Sequence, residues 1–313
     1  MFYLLCNVLR MYVLKAEHIT KQYESHKALN DVSISVPEGS IYGLLGPNGA
    51  GKTSLIRIIT QITAADEGRI LINGEPLQPR HISTIGYLPE ERGLYKKMEV
   101  GEQLMYFAQL KGLSRKEAMF RLKNWMERFD IKSWWRKKVE ELSKGMQQKV
   151  QFIATVIHQP SLIILDEPFS GFDPVNAGII TEEILRLQHE GSSIIFSTHR
   201  METVEQLCDH IALLNKSEKV LEGEVEEIRS RYKTNTFEVD YNGQVLQPCE
   251  LFSVEQHGIR GNLLSATIKV NTASNPNDIL KYLIQQVEVH GFTEHIPGMN
   301  EIFIQLVGGE VHD

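Results

Sequence analysis

A run of eight residues, GPNGAGKT from Gly46 to Thr53, constrains this chain more than any other part of its sequence. The run matches the pattern GxxxxGK(S/T), follows the strand-like stretch IYGLL and precedes the helix-like stretch TSLIRII. In such a loop, backbone N–H groups point towards phosphate oxygens, and the helix N-terminus adds partial positive charge. The pattern therefore predicts a phosphate-binding loop between a strand and a helix.

The residue types of this loop suit the phosphates of a nucleotide. The glycines let successive N–H groups point inward around the phosphate oxygens. We expect Lys52 to reach the terminal phosphates and the Thr53 hydroxyl to bind Mg²⁺. The predicted nucleotide-binding residues of the loop are Gly46, Pro47, Asn48, Gly49, Ala50, Gly51, Lys52, Thr53 and Ser54.

Two adjacent carboxylates follow a second strand-like stretch about 110 residues later, in the sequence LIILDEP. Ligands of α/β sheets collect at the carboxyl ends of the strands, where Asp166 and Glu167 are predicted to lie. We expect Asp166 to hold Mg²⁺ through its water shell and Glu167 to polarise an attacking water. The alternative is that these carboxylates are only solvated.

Composition narrows the function classes further. The chain has 313 residues, is 42% hydrophobic and carries a net charge of -7, which gives no support to nucleic-acid binding through bulk charge. No stretch approaches the roughly 18 consecutive apolar residues of a membrane-spanning helix. Cys6, Cys208 and Cys249 form no CxxC pair, which argues against a disulfide framework or a zinc site and favours a reducing compartment.

The sequence pattern predicts regions of different secondary structure along the chain. Strand-like and helix-like stretches alternate over residues 11–229, which predicts an α/β domain with a mostly parallel sheet. Within it, residues 96–158 read as an inserted helical subdomain, and Lys96–Glu140 holds 12 Lys or Arg against 6 Asp or Glu. That basic face either lies near phospholipid headgroups or is a solvated surface. Residues 1–10 read as an N-terminal extension ahead of Met11, with a peripheral anchor as the alternative.

Residues 230–313 predict a small α+β domain. We expect antiparallel strands at TFEVDY, LLSATIKV and EIFIQLV, with NPNDILKYLIQQVEVHG as a helix between the last two. We find no catalytic constellation in this region.

The heptapeptide LSKGMQQ, which begins at Leu142, adds a more specific signal because it precedes the LIILDEP strand. It resembles the LSGGQ signature of the nucleotide-binding subunits of ABC transporters. The resemblance implies a P-loop NTPase cassette with a mostly parallel core sheet, an antiparallel β subdomain and an inserted helical subdomain. It also implies that Ser143 and Gly145 contact the γ-phosphate of ATP on a second cassette in a head-to-tail dimer. Ser143 can cap the following helix as well, and Gly145 has no Cβ to obstruct an anion.

Other elements of the family follow in order over about residues 11–229. By resemblance, Tyr23 stacks on adenine and His199 is the switch histidine that contacts the γ-phosphate. The run SGFD resembles the D-loop, and its Asp173 with the following Pro174 also suits the N-cap and first position of a helix. The resemblance thus implies ATP and Mg²⁺ as cofactors, with Glu167 and His199 as the catalytic residues.

Two departures from the family pattern bear on turnover. Glu90 takes the place of the Q-loop glutamine; its carboxylate can still bind Mg²⁺ or orient water, but it cannot donate an amide N–H. Lys144 and Met146 replace glycine and glutamine in the signature. Neither change removes a group that phosphoryl transfer plainly needs, so we expect hydrolysis to persist at a reduced rate.

Within the family, the chain resembles bacterial exporter ATPases of the sodium-efflux and drug- or antibiotic-resistance type. The resemblance implies a separately encoded permease and a second copy or related cassette as partners, and a cytoplasmic location on the inner face of the membrane. One alternative is an ABC ATPase acting on DNA or ribosomes, which typically carries a long coiled coil or a second cassette; the sequence contains neither. The other alternative is a nucleotide-sensing regulatory cassette with low turnover.

Overall fold

The computed structural model describes residues 11–24, 26–91, 93–170, 172–271 and 275–307. The expectations for residues 1–10 and for Gly171 lie outside the described residues. The chain forms two compact units that divide between Glu224 and Val225. Each unit is described by itself.

The first unit contains two sheets and the helices that cover them. Its strands are β1 (Tyr12–Tyr23), β2 (His26–Pro37), β3 (Ile41–Leu45), β4 (Glu67–Ile72), β5 (Glu75–Pro76), β6 (Ile85–Leu88), β7 (Leu162–Asp166), β8 (Ser193–Thr198), β9 (His210–Asn215) and β10 (Glu218–Glu224). Its helices are α1 (Lys52–Ile59), α2 (Val100–Leu110), α3 (Arg115–Arg128), α4 (Lys144–Val156), α5 (Pro174–His189) and α6 (Met201–Leu207).

The larger sheet has the strand order β10-β9-β3-β8-β7-β6 and is parallel except at β10, which pairs antiparallel with β9. Every residue of β3, β7 and β8 is buried, as expected for central strands covered on both faces. These three strands are neighbours and parallel, so their carboxyl ends meet at one edge of the sheet. The residues that follow them are thereby brought together.

The smaller sheet has the order β2-β1-β4-β5 and is antiparallel throughout. One apolar core joins the two sheets across α1: Leu55 and Ile59 of the helix pack in a cluster with Ile72 of β4 and Ile164 of β7. The helix is therefore fixed from both sides, and with it the phosphate-binding loop at its N-terminus.

The helices α2, α3 and α4 form the helical part of the first unit. Trp125, Phe129 and Phe152 hold α3 against α4, with ring centroids 5.6 to 6.1 Å apart. Ser114 and Ser143 cap α3 and α4 by accepting hydrogen bonds from the backbone N–H groups of Glu117 and Met146. Among the described residues, no helix combines the length and apolarity that crossing a membrane requires.

The second unit contains α7 (Val225–Arg231), β11 (Thr236–Asn242), β12 (Phe252–Arg260), β13 (Leu263–Val270), α8 (Pro276–Gln286), β14 (Glu288–Glu294) and α9 (Met299–Val307). Its antiparallel sheet has the order β12-β13-β11-β14. Ile279 and Leu283 of α8 are buried in the same apolar cluster as Val239 and Ile268 of the sheet. The division of the chain falls earlier than the expected one after Arg229, because α7 belongs to this unit and Arg229 donates a hydrogen bond to the Pro297 carbonyl.

Two expectations for this unit were wrong in detail. The stretch EIFIQLV lies in the helix α9, whereas a strand was expected. Met299 and Ile302, three residues apart, are its buried positions, and a short apolar run fits both a helix and a strand. The expected helix ends at Gln286, and the residues VEVHG continue into β14. The edge strand β12 was not expected, because most of its side chains are exposed and it lacks an alternating apolar pattern.

Candidate active site

The phosphate-binding loop connects β3 to α1, as the sequence predicts. Gly46, Gly49 and Gly51 have φ angles of 145°, 81° and 109°, which residues with a Cβ rarely adopt. A Cβ on Gly46 would lie 2.2 Å from the Leu214 carbonyl oxygen, and one on Gly51 would lie 2.5 Å from the Ala28 carbonyl oxygen. Backbone conformation and close packing thus both require glycine at two of these positions.

Lys52 is buried within this loop. Its Nζ donates hydrogen bonds to the carbonyl oxygens of Gly46 at 2.7 Å and Pro47 at 3.1 Å. Burial lowers the pKa of Lys52, although the nearby carboxylates of Glu167, Asp166 and Glu90 oppose that shift. The loop therefore holds a cation among its own carbonyls, where nucleotide phosphates would compete for it.

Asp166 ends β7 and is 2% exposed. Its Oδ1 accepts a hydrogen bond from the Ser197 hydroxyl, and its Oδ2 lies 3.5 Å from the Thr53 hydroxyl, which donates to it. Burial raises the pKa of Asp166, and the neighbouring Glu167 charge adds to this rise, while Ser197, Lys52 and Thr53 oppose it. A desolvated carboxylate beside a second carboxylate is an environment that a cation would stabilise.

Glu167 and His199 contact each other directly. His199 Nδ1 lies 2.8 Å from Glu167 Oε1, and the two residues follow the neighbouring strands β7 and β8. Since an ionised carboxylate only accepts hydrogen bonds, Nδ1 carries the proton in this pair. The histidine thus orients the carboxylate that the sequence identifies as the candidate base.

One cleft of about 470 Å³ collects most of the predicted residues. Its lining includes the predicted Tyr23, Asn48, Gly49, Ala50, Gly51, Lys52, Thr53, Ser54, Glu90, Asp166, Glu167 and His199. Gly46 and Pro47 contribute the carbonyls behind Lys52. The structure therefore brings together the phosphate-binding loop, the acidic residues Glu90, Asp166 and Glu167, and His199.

Some lining residues were not predicted. His26 and Ala28 lie on β2, and His26 pairs with Tyr23 across the β1–β2 hairpin, where no local motif marks them. Ser170, the first residue of the SGFD run, also lines the cleft and was not among the predicted site residues. Tyr23 is 38% exposed, and Lys21 Nζ lies 5.4 Å from the centre of its ring.

The signature residues Ser143 and Gly145 do not line the cleft. Ser143 is exposed at the N-cap of α4, and its hydroxyl accepts the Met146 N–H at 3.3 Å. A Cβ on Gly145 would meet only the Phe172 ring, at 3.7 Å. Asp173 caps α5 as predicted, by accepting the Asn176 N–H at 3.0 Å with Pro174 at the first helical position.

Side chains of α4 hold the segment that carries Glu90. Gln151 Nε2 lies 3.3 Å from the Pro89 carbonyl oxygen and 3.4 Å from that of Glu91. One turn earlier, Gln148 Nε2 donates a hydrogen bond at 2.6 Å to the carbonyl oxygen of Pro168, the residue that follows Glu167. The helix that begins at the signature therefore contacts the segments that carry Glu90 and Glu167, two of the three carboxylates that line the cleft.

The donor set of the cleft fits Mg²⁺ bound together with phosphates. Mg²⁺ usually binds through one or two carboxylates, phosphate oxygens and water, and Thr53, Asp166 and Glu90 offer a hydroxyl and carboxylates. No cluster of three or more histidine, cysteine or acidic side chains poised for a metal occurs in the part of the chain that the structure describes. The hydroxyl and carboxylates of the cleft suit a cation that binds together with nucleotide phosphates, since Mg²⁺ takes such oxygen ligands.

Comparisons with known proteins agree with this site. The profile of the family described as "ABC transporter" matches residues 29–170, and that of "ATP-binding protein DrrA1-3-like, C-terminal domain" matches residues 223–307. A solved structure described as the ATP-binding subunit of an ABC transporter superposes with a TM-score of 0.66 at 30% identity, covering 70% of this chain and 93% of that one. The fold and the site thus define an ATP-binding cassette of the ABC type followed by a small α+β unit, which confirms the predicted fold class.

Curated relatives extend this similarity over nearly the whole chain. The uncharacterized ABC transporter ATP-binding protein YhaQ of Bacillus subtilis is 41% identical over 302 residues, covering 95% of this chain and 99% of the relative. The Nod factor export ATP-binding protein I of Cupriavidus metallidurans is 29% identical over 308 residues, covering 96% and 99%. The chain belongs to the family of ABC transporter ATP-binding proteins.

Proposed function

We propose that this chain hydrolyses ATP and thereby powers a separately encoded membrane permease, as part of an exporter. The observation that carries the proposal is the contact of 2.8 Å between Glu167 Oε1 and His199 Nδ1, in the same cleft as Lys52 and Asp166. A base oriented by a histidine beside a phosphate-binding loop is an arrangement for phosphoryl transfer to water.

In the proposed reaction, the phosphates of ATP bind the loop N–H groups and Lys52. Glu167 accepts a proton from a water molecule while the water oxygen attacks the γ-phosphorus. The bond from that phosphorus to the oxygen that bridges it to ADP breaks, and ADP leaves. His199 donates its Nδ1–H to Glu167 and so keeps the carboxylate directed at the water. Mg²⁺ held near Thr53 and Asp166 would neutralise charge on the phosphates.

In the proposed dimer, the second cassette supplies signature residues to this cleft, which the signature of its own chain does not line. Ser143 is exposed and Gly145 is partly exposed at the N-terminus of α4, a thirteen-residue helix. An exposed helix N-terminus with a glycine in its first turn suits an anion such as the γ-phosphate of a second copy. Two clefts in a head-to-tail dimer would each combine the loop of one chain with the signature of the other.

The surface proposed for the permease lies beside Glu90. An open groove of about 340 Å³ is lined by Tyr87, Pro89, Gly93, Leu94, Phe107, Leu110, Lys111, Gln151, Ala154 and Thr155. Leu110 is 64% exposed, and Tyr95, which follows the groove residue Leu94 in the sequence, is 55% exposed. This apolar groove borders the segment that carries a cleft carboxylate, so a permease segment in it would contact the hydrolytic site through Glu90.

Export is the direction that one relative supports, since it is a Nod factor export ATP-binding protein. Sodium ions, drugs and antibiotics are the proposed cargo classes. Two findings would support the transport half of the proposal. One is a multi-span protein encoded beside this chain, and the other is a rise in the ATPase rate of this chain when that protein is added in vesicles. Steady turnover with no response to any such permease would favour a non-transport cassette.

The hydrolytic half is tested by steady-state ATPase measurements on purified wild type, Lys52→Ala and Glu167→Gln. We expect Lys52→Ala to lose nucleotide affinity, and Glu167→Gln to retain affinity while its kcat falls by about a hundredfold or more. Glu182→Gln, an exposed substitution on α5, is the matched control and should retain wild-type turnover. Absence of wild-type turnover, with intact ATP affinity, would favour the nucleotide-sensing alternative.

A further inference from the structure

Ser197 and His199, at and just after the end of β8, contact Asp166 and Glu167, two of the three acidic residues that line the cleft. The proposed reaction assigns a role to His199 and none to Ser197. Ser197 lies two residues earlier and its exposed fraction is 0%. It is paired with Leu44 of β3 on one side and with Asp166 of β7 on the other. Ser197 is thus placed between the strand that leads into the phosphate-binding loop and the strand that ends in the acidic pair.

The Ser197 hydroxyl makes two contacts with the acidic pair. It donates a hydrogen bond to Asp166 Oδ1, and its oxygen lies 3.3 Å from the backbone N–H of Glu167, which donates to it. The Ser197 carbonyl oxygen accepts the same N–H at 3.1 Å. A hydroxyl can donate one hydrogen bond and accept others, so these contacts are compatible.

Glu167 needs such support because its φ angle is 48°, in the left-handed region. Residues with a Cβ rarely adopt this conformation, and it persists only where the surrounding structure holds it. The N–H of Glu167 is held by Ser197, and its carboxylate is held by His199. Ser197 at the end of β8 therefore holds the backbone of Glu167, and His199 just after β8 holds its side chain.

We propose that Ser197 is a positioning residue for ATP hydrolysis, which orients the Asp166 carboxylate towards Thr53 and holds the Glu167 backbone in its left-handed turn. The proposal rests on the proposed ATPase function. Ser197 does not line the cleft, so it acts through the two carboxylates. Its loss should impair catalysis and the response to Mg²⁺ more than nucleotide binding itself.

The test compares Ser197→Ala with wild type in two assays. The first is steady-state ATPase at saturating Mg²⁺, in which kcat should fall about tenfold or more, since residues that orient metal-binding groups typically contribute 10- to 100-fold. The KM for ATP should rise by no more than the Mg²⁺-dependent gain in affinity that is lost in the second assay. The second is the affinity for a fluorescent ADP analogue with and without Mg²⁺. The gain in affinity from Mg²⁺ should shrink in Ser197→Ala, and the affinity without Mg²⁺ should not change.

Ser193→Ala is the matched control. Ser193 lies on the same strand, is also 0% exposed, and its hydroxyl oxygen accepts the Gly39 N–H at 2.8 Å. It begins β8, whereas Ser197 lies near the end that faces the cleft. Loss of one buried hydroxyl from β8 is thus common to both variants, but Ser193→Ala should keep wild-type kcat and the wild-type Mg²⁺ response.

If Ser197→Ala fails to fold, Ser197→Thr and Ser197→Cys test the role of the hydroxyl in its place. Threonine retains the hydroxyl and should restore most of kcat, whereas the thiol is a weak donor and should not. The proposal is overturned if Ser197→Ala or Ser197→Cys keeps wild-type kcat and Mg²⁺ response, or if Ser193→Ala loses both equally. Absence of wild-type turnover would instead contradict the ATPase function, and the Mg²⁺ titration would still test Ser197.

Discussion

Two glycines of the phosphate-binding loop provide a quantitative test of its geometry. Gly49 and Gly51 both have positive φ angles, 81° and 109°. A Cβ on Gly49 would have no neighbour within 4 Å, whereas one on Gly51 would lie 2.5 Å from the Ala28 carbonyl oxygen and 2.8 Å from Leu29 Cδ2. Alanine at the first position therefore adds only backbone strain, while at the second it adds strain and a collision with β2.

The expected difference in stability follows from these distances. Left-handed conformation costs a residue with a Cβ about 1–2 kcal/mol, which is the whole expected cost of Gly49→Ala. Forcing an extra carbon into a packed site costs about 1–3 kcal/mol more, so Gly51→Ala should lose about 2–5 kcal/mol. For a domain of this size, 1 kcal/mol lowers the melting temperature by about 2–4 °C. Gly51→Ala should thus melt at least about 2 °C below Gly49→Ala.

The assay is thermal unfolding of both variants without nucleotide, followed by circular dichroism. Nucleotide is omitted because Gly49 lines the cleft, and a loss of binding there would confuse the comparison. Equal melting temperatures for the two variants, or a lower one for Gly49→Ala, would refute the reasoning from the loop geometry.

Two further predictions concern buried titratable groups. Burial raises the pKa of Asp166, so the folded state holds this proton more tightly than the unfolded state and loses stability as the pH rises through the carboxyl range. Asp166→Asn should therefore raise the melting temperature of the nucleotide-free protein at pH 7.5 by a few degrees, about 1 kcal/mol, while abolishing Mg²⁺-dependent turnover; a lower melting temperature would contradict this. Burial, with the Lys111 charge in addition, lowers the pKa of His158 to about 4, so stability should be lost as the pH falls from about 6.5 towards 4. The loss should be about 2 kcal/mol, allowing for partial exposure, and His158→Gln should remove it in denaturant titrations at pH 7.5 and 4.5. An equal loss in wild type and variant would show that other groups are responsible.

The parts of the site that local motifs mark could be predicted from the sequence. Lys52, Asp166 and His199 each follow or adjoin a strand-like stretch, and parallel neighbouring strands bring their carboxyl ends to one edge. The cleft that contains all three is the outcome of that rule. The family resemblance, which rested on the order of these motifs, is confirmed by the comparisons.

Other features depend on tertiary contacts that no local pattern encodes. Ser197 reads as an ordinary residue of a buried strand, and only the register of β7 against β8 places it on Asp166. The left-handed turn at Glu167 is likewise invisible in a pattern of residue types. In the second unit, α9 was mistaken for a strand because a short apolar run fits either period, and packing of Met299 and Ile302 decides between them.

The central claim is an ATP-driven head-to-tail dimer, and the mass of Glu167→Gln in solution tests it most directly. Light scattering coupled to size exclusion should give the monomer mass of 35.7 kDa without nucleotide and twice that mass with ATP and Mg²⁺. The double variant Lys52→Ala with Glu167→Gln is the control and should remain monomeric, because it lacks the phosphate contact of the loop. A Glu167→Gln variant that binds ATP at micromolar protein concentration but keeps the monomer mass would contradict the account.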